Sequence, residues 1–532
     1  MFLWIQLTPV FVFLATVSIS CVHGSSPSSV PNTGIICRFT EEAGLVFNQE
    51  TSDVIQATFR HASFPNIEGE ASILLLGSVS YSFKNLQINN MSVEKSDVDL
   101  SNEKGILIAI QNVAAAFKGT MDYTYSSWLQ IVKWPYGPQK QPETKFYPSA
   151  FKHSVLHLNH SLDFEIQSQT DVNLALSLAC NNGRIAVTIS DCLLNFDKLA
   201  LKLQRHKEAN WIQKLFTDFV SFTLRHIVKG QICAEIHKMA NQLADFTLYQ
   251  AGLFMQDGEI ATSIELTTDP VLTLGYIESW HEGSVSYKNA TIFQKPSDIP
   301  VERVETRMFN LWVSEPVVNS LLFAAHHDNR LTLMLSDSDL LKLFDNGGAK
   351  TEPNLLQQMV PGIPMNNLMI KLESLRPPSL LFKSVGTILQ ASVSLQIEVL
   401  SSSEDSYTAA YLEMDSATLV HTSYTDSKIH LQPSSNHWSI KVVRSNPAIA
   451  LDESEAKRYL EAFFATGGLE KIISYIEFYI TALLHKKGLR YFNVTNPVIE
   501  TDEGYVTIAT DFGFPRQLLE NFLRNLAPMT RL

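Results

Sequence analysis

The chain is short of charge. Asp, Glu, Lys and Arg make up 18% of its 532 residues, against roughly a quarter in an ordinary soluble domain. The charge it has leans acidic, a net −13 at pH 7. That balance excludes a chain built to grip nucleic acid, which needs basic surface against phosphate. It also excludes strong electrostatic attachment to an anionic membrane. Hydrophobic residues reach 45%, so a large apolar surface has to be covered or used to carry something.

Catalytic motifs are missing as well. No G-x-S-x-G elbow, H-E-x-x-H, C-x-x-C, Walker A or G-x-G-x-x-G occurs. His326, His327 and Asp328 suggest metal ligands, but adjacent side chains rarely converge on one ion. Cys233 and His237 share i,i+4 spacing and read as a disulfide cysteine beside a surface histidine. We assign no catalytic residue, metal or cofactor and read the chain as non-enzymatic, noting that triads scattered in sequence leave no local signature.

Cysteine is scarce, with five in the whole chain. Cys21 lies at the edge of the apolar run "MFLWIQLTPVFVFLATVSIS", which no Lys or Arg precedes. The small residues Ser18 and Ser20 and the polar "GSSPSSVPNTG" beyond mark residues 1–24 as a signal peptide, cleaved after Ser20 or Gly24. Later stretches of spanning length all carry charges, so the expected product is secreted and soluble. Sequons at Asn90, Asn159, Asn289 and Asn493 agree with that route. In an oxidising compartment at least one disulfide is expected among Cys37, Cys180, Cys192 and Cys233. Four cysteines allow three complete connectivities, and spacing does not choose between them.

Hydrophobic periodicity supplies the architecture. "GSVSYSFKNLQINNMSV", "SLDFEIQSQTDVNLALSLA" and "GRIAVTISDCLLNFDKLALKL" alternate apolar and polar residues, as long half-buried antiparallel strands do. A helical pattern over 48–64 precedes them, and a longer one over 208–246 follows. The second half repeats this order. "VSEPVVNSLLFAAHH" is helical, "NRLTLMLSD", "NLMIKLES" and "TILQASVSLQIEVL" alternate, and a helical stretch over 452–488 breaks at Gly467-Gly468. Helix, strands and helix, twice over, predict two similar halves, joined by "TDPVLTLGYIESWHEGSVSYKN". The proline-rich segment 133–153 has no period and reads as an exposed insert.

The chain ends on a short two-faced helix. Pro515 suits the first helical position. Leu518, Leu519, Phe522, Leu523 and Leu526 share one face, and Arg516, Gln517, Glu520, Asn521, Arg524 and Asn525 fill the other. A docked helix, a detachable lid and a membrane-surface element all fit that pattern.

The stretches "GIICRFTEEAGLVFNQETSDVIQATF", "WIQKLFTDFVSFTLRHIVKGQIC", "GYIESWHEGSVSYKNAT" and "NPVIETDEGYVTIATDFGFPRQLLENFL" resemble the family of bactericidal permeability-increasing and lipopolysaccharide-binding proteins. The resemblance covers nearly the whole chain beyond the signal peptide. Its helix after "DFGFP" is similar to that of members that exchange neutral lipid.

The resemblance implies an α+β fold, an elongated boomerang of two pseudo-symmetric lobes. Each lobe is a twisted antiparallel sheet or barrel wrapped by a long helix, and a central sheet joins them. Residues 25–240 would form the N-terminal lipid-binding barrel, 241–308 the central sheet and linker, 309–510 the C-terminal barrel and 511–532 the terminal amphipathic helix. The implied function is exchange of cholesteryl esters and triglycerides, with some phospholipid, between high-density and apolipoprotein-B-containing plasma lipoproteins through an apolar tunnel. A phospholipid-transfer or lipopolysaccharide-binding member is the alternative.

No cofactor is implied beyond the lipid cargo, and no nucleic acid partner; a monomer is expected. Cys192 and Cys233 match the family's disulfide, whereas Cys37 and Cys180 match buried unpaired cysteines. Ser279 and His281 match polar residues near a bound ester, and Cys37 joins them as a lipid contact. Leu518, Leu519, Phe522, Leu523 and Leu526 match the lipid-facing side of the terminal helix. Leu248 and Gln250 stand where the resemblance has Gln and Arg on the long helix.

Overall fold

The computed structural model describes residues 33–46, 48, 66–73, 77–102, 105–127, 156–204, 210–292, 299–300, 307–344, 355–400, 406–447, 449, 452–465 and 467–526. The expected signal peptide, the insert 133–153 and most of the helix expected over 48–64 lie outside these residues.

Two sheets of the same topology form the lobes. In the N-terminal sheet the strands run Ile67–Ile73, Gly77–Ser92, Gly105–Ser127, Leu156–Asn181 and Arg184–Gln204, with Lys95–Ser101 also pairing Gly105–Ser127. In the C-terminal sheet the order is Thr332–Ser336, Leu368–Ser374, Gly386–Val399, Tyr407–Thr425 and Lys428–Ser445, with Ser379–Lys383 also pairing Gly386–Val399. Each sheet thus has six strands, and the off-path strand hangs on the same neighbour. The alternating segments read from the sequence are these strands.

Helices follow each sheet. In the first half one helix, Asn210–Met255, runs 46 residues and packs on Arg184–Gln204. It continues past the expected end at Phe246 because "TLYQAGLFM" holds no proline, and a lone Gly252 is tolerated in a helix. In the second half the helix is broken as the glycine pair predicts, into Glu453–Ala465 and Gly468–Lys486. Gly467 sits at φ +80°, a left-handed conformation that favours glycine.

The two halves meet in a central sheet ordered Val271–Leu272, Tyr276–His281, Ile35–Thr40, Phe309–Ser314, Tyr505–Asp511 and Thr495–Asp502. This order is palindromic. Each half gives its first strand to the middle and a late hairpin to the flank. Ile35–Thr40 leads into helical residues from 41, and Phe309–Ser314 leads into the helix Glu315–His327. Residue 37 therefore corresponds to residue 311, and the register pairs those two residues with each other.

The two lobes are the arms of an elongated boomerang, with this sheet between them. Charged contacts brace the seam. Lys487 Nζ donates to the carbonyls of Leu253 at 3.4 Å and Gln256 at 2.6 Å, placing a cation at the C-terminal end of the long helix. Beside it Arg330 donates to the Asp257 carboxylate and, at 2.8 Å, to the Asp257 carbonyl.

Cys192 and Cys233 are bonded, with their Cα atoms 6.2 Å apart, tying Arg184–Gln204 to the long helix. Cys37 is free and buried. Cys180 departs from the expectation of an unpaired thiol. It is disulfide-bonded, and its partner lies outside the described residues. An oxidising compartment permits this second bridge. Replacing Cys192 and Cys233 together by alanine is expected to cost about 2–5 kcal/mol of stability, measured by denaturant unfolding; an unchanged midpoint would mean that packing alone holds the helix.

Candidate functional site

Strand alternation gives the central sheet two unlike faces. Ile35, Cys37, Phe39, Phe309, Leu311, Val313, Val506 and Ile508 point to one side and belong to a single apolar cluster. Arg38, Glu278, Trp280 and Trp312 point to the other. There Arg38 lies 2.6 Å from the Glu278 carboxylate, with both side chains buried. Trp280 Nε1–H also donates to that carboxylate. The Arg38 guanidinium stacks 4.0 Å over Tyr276 and 5.3 Å from Trp312. A charge buried this deeply is tolerated because it is both paired and stacked. The sequence signal for this pair was a lone charge inside each of two apolar strands, "IICRFT" and "YIESWH".

On the apolar face three predicted residues come together. Cys37 pairs in register with Ser279, and Ile35 with His281. Cys37, Ser279 and His281 are each wholly buried. Ser279 Oγ lies 2.8 Å from His281 Nε2, and His281 Nδ1 lies 2.7 Å from the Ile264 carbonyl. A carbonyl only accepts, so Nδ1 carries the proton and Nε2 is left to accept from the Ser279 hydroxyl. Burial pulls the imidazole down to about 4, with the Ile264 carbonyl opposing, so the ring is neutral at physiological pH. Burial and the Glu278 charge push the Cys37 thiol up, and its hydrogen bond to Ser279 opposes them. Thiol, hydroxyl and imidazole form one uncharged chain that ends on a backbone carbonyl.

Such a chain does not make a hydrolase. A Ser–His contact is the start of an activated nucleophile. Here, however, the ring is a weak base and its orienting partner is a neutral carbonyl. What the chain offers is a polar spot in an apolar wall, able to orient an ester by one bond if Ser279 turns from His281.

The sheet's symmetry shows that this polarity is not architectural. Ser279 pairs with Cys37 as Ile508 pairs with Leu311, and His281 pairs with Ile35 as Thr510 pairs with Phe309. The second half builds the same strands with leucine and isoleucine where the first has cysteine and serine.

The terminal helix, Arg516–Leu526, reaches the same cluster. Phe512 is buried in it, edge-on to Phe39 with centroids 6.2 Å apart. Gly513 N–H donates to the Phe492 carbonyl at 2.8 Å. Leu518 packs against the cluster that holds Cys37. Leu518 and Leu519 are half-buried, whereas Arg516, Gln517, Glu520 and Asn521 are exposed, as the two-faced pattern requires. The side chains of Phe522, Leu523 and Leu526 lie outside the description.

Other candidates separate. His327 Nδ1 bonds the Phe323 carbonyl and Asp328 bonds Arg330, so "HHD" does not converge. Asn90, Asn289 and Asn493 are exposed; the side chain of Asn159 is not described. Among the described residues no helix is long and apolar enough to cross a membrane.

The neutral His281 makes a pH prediction. An unfolded imidazole takes a proton near its ordinary 6.5, whereas the folded one waits until about 4. Its contribution is present above 6.5 and lost as pH falls from there toward 4, about 3 kcal/mol in all. Glu265 acts in the opposite sense, raised to about 7 by burial and by the Glu282 charge against the pull of Arg184. The measurement is therefore a difference. Between pH 7 and 4, wild-type unfolding free energy should fall by about 3 kcal/mol more than that of His281→Gln; parallel curves would mean that His281 is charged when folded.

Two family models match the chain, the LBP / BPI / CETP family N-terminal domain over residues 45–245 and its C-terminal domain over residues 255–449. Cholesteryl ester transfer protein of Gallus gallus is 35% identical over 97% of this chain and 97% of its own length. The same protein of Homo sapiens is 35% identical over 95% of this chain and 97% of its own. Among solved structures, lipopolysaccharide binding protein aligns over 91% of this chain and 100% of its own at 14% identity, with a TM-score of 0.45. The chain belongs to the LBP / BPI / CETP family, whose members are non-catalytic lipid-binding and lipid-transfer proteins.

Proposed function

We propose that this chain is a secreted carrier that exchanges cholesteryl esters and triglycerides, with some phospholipid, between lipoprotein particles. One observation carries the reading: the terminal helix seats Leu518 on the same apolar cluster that contains Cys37, beside Ser279 and His281. The family relatives named for cholesteryl ester transfer, matched along almost their whole length, support it.

The physical need is plain. A cholesteryl ester leaving a particle exposes hundreds of square ångströms of apolar surface, a barrier on the order of 10 kcal/mol at roughly 25 cal/mol per Å². A tunnel through the lobes removes that barrier without bond chemistry. Cys37, Ser279 and His281 orient the ester, and phospholipid fills the openings. The terminal helix from Pro515 to Leu526 is the lid, with Leu518, Leu519, Phe522, Leu523 and Leu526 inward. It shuts in water and opens on a lipid surface. The carrier works as a monomer in plasma, glycosylated at exposed sequons.

Labelled donor and acceptor lipoproteins test this. Purified protein should move intact ester between them without releasing fatty acid. Transfer of phospholipid alone would favour the phospholipid-transfer alternative. Leu518→Arg places a charge on the sealing face, which disfavours both seating and lipid contact. We expect ester transfer to fall at least about tenfold, the rate effect of roughly 1.4 kcal/mol, with the melting temperature nearly unchanged. Truncation after Phe514 should do likewise and spare most phospholipid transfer. Full ester transfer by the truncated chain would rule out the lid.

A further inference from the structure

The inner face of the N-terminal sheet is a ladder of apolar rungs. Ile110, Val172 and Leu194 form one rung, and Ile108, Leu174 and the bonded Cys192 the next. All belong to or pack on one cluster, together with Ile232, Cys233 and Ile236 of the long helix. One rung differs. Val113 and Phe196 are paired through Thr170, which is 3% exposed. Its Oγ1 is buried without a hydrogen-bond partner in the protein. Ser168, the next residue on that face, donates to the Ala115 carbonyl at 3.3 Å and so is satisfied.

An unpaired buried hydroxyl is costly, and valine of the same shape would avoid the cost. The sheet does not demand it. Strand Leu156–Asn181 shifts register against its successor between Gln169 and Thr170 and again between Ala175 and Leu176. Its counterpart Tyr407–Thr425 shifts between Glu413 and Met414 and again between Leu419 and Val420. The spacing of the two shifts is the same, so Thr170 corresponds to Met414, an apolar residue packed on the C-terminal core. The bulge forms equally well around a methionine.

We propose that the Thr170 hydroxyl donates a hydrogen bond to the ester carbonyl of a neutral lipid held between the N-terminal sheet and the long helix. This rests on the reading that the lobes carry such lipid. The chemistry is matched. An ester presents only acceptors, a threonine hydroxyl presents one donor, and the neighbouring rungs are apolar apart from Ser168, whose hydroxyl is already given to the Ala115 carbonyl. Thr170 is then a positioning contact in the N-terminal lobe, on a different sheet from Cys37, Ser279 and His281. It favours ester over a lipid of the same shape with no carbonyl.

The test uses full-length protein loaded with cholesteryl oleate carrying a carbon-13 carbonyl, in competition with the matching cholesteryl oleyl ether. Wild type, Thr170→Val and Thr170→Ser are compared. Isotope-edited infrared spectra of wild type and Thr170→Ser should show a carbonyl band moved to lower wavenumber, absent in Thr170→Val. The ester-over-ether preference should fall about fivefold in Thr170→Val, the effect of one net hydrogen bond. Should that variant not fold, Thr170→Ala supplies the same loss of the hydroxyl. Equal bands and equal preference in wild type and Thr170→Val would overturn the proposal and leave the hydroxyl to a trapped water. A wild-type protein that takes up neither ester nor ether would overturn the carrier reading itself, and this proposal with it.

Discussion

The structure depends on one strand pairing, Ile35–Thr40 against Phe309–Ser314. Paired residues of the two strands are 270 to 278 positions apart in the chain, and every residue of both is buried. A strand buried on both faces needs a partner on each side. Each of these takes the other half's first strand on one side and a late hairpin of its own half on the other. The register then sorts the side chains. Odd positions of these two strands build the apolar face that receives Phe512 and Leu518, and their even positions face the Arg38–Glu278 side. A slip by one residue would exchange the two and bury Arg38 in hydrocarbon. The paired charge therefore fixes register as well as filling space. Pairing at such long sequence separation carries a large loop-closure cost.

Much of this was legible in the residues. Gly77–Ser92, Leu156–Asn181, Arg184–Gln204 and Gly386–Val399 announced themselves by alternation, whereas Gly105–Ser127, Tyr407–Thr425 and Lys428–Ser445 were not read. The broken second helix was marked by Gly467-Gly468 and the terminal helix by its five apolar residues. Those signals are local, and local patterns survive without knowledge of the partner. The palindromic sheet was not legible. "IICRFT" and "FNLWVS" are nearly continuous apolar runs of six, which periodicity cannot tell from buried helix. Nor does either run say what it will pair with. The resemblance brought Cys37, Ser279 and His281 forward together. The direction of their hydrogen bonds needed the Ile264 carbonyl, and Ile264 belongs to no motif. Thr170 had no signal at all, because a threonine in an alternating strand is ordinary until its neighbours are known.

The halves share topology and differ in chemistry. Polar residues interrupt the apolar wall of the first half at Cys37, Ser279 and His281, and at Thr170. The second half has Leu311, Ile508 and Met414 at the matching places, and Thr510 in the place of His281. The first half also has one uninterrupted helix stapled to its sheet at Cys192–Cys233, where the second has two helices hinged at a glycine. A stiff wall with polar spots can hold an ester in one orientation. The second wall carries buried hydroxyls of its own at Thr387 and Thr418, and Thr422 Oγ1 is buried without a partner, so the lobes differ in where the polarity sits. On the proposed carrier reading, the duplication gives two containers whose polar spots are placed differently.

The attachment of the terminal helix limits what it can do. Phe512 is buried beside Phe39, and Gly513 is bonded to the Phe492 carbonyl, so the chain is pinned up to that point. Pro515 is buried too, and the helix begins at the next residue. Any release must therefore pivot at Phe514–Pro515 and leave the cluster closed beneath. Leu518 and Leu519 are only half-buried when seated. Full burial of such a side chain is worth about 1.5–3 kcal/mol, so the seated state gains less than that from each. On the proposed lid reading, entry into a lipid surface offers the same leucines comparable burial, so the presence of a particle sets the balance between seated and released.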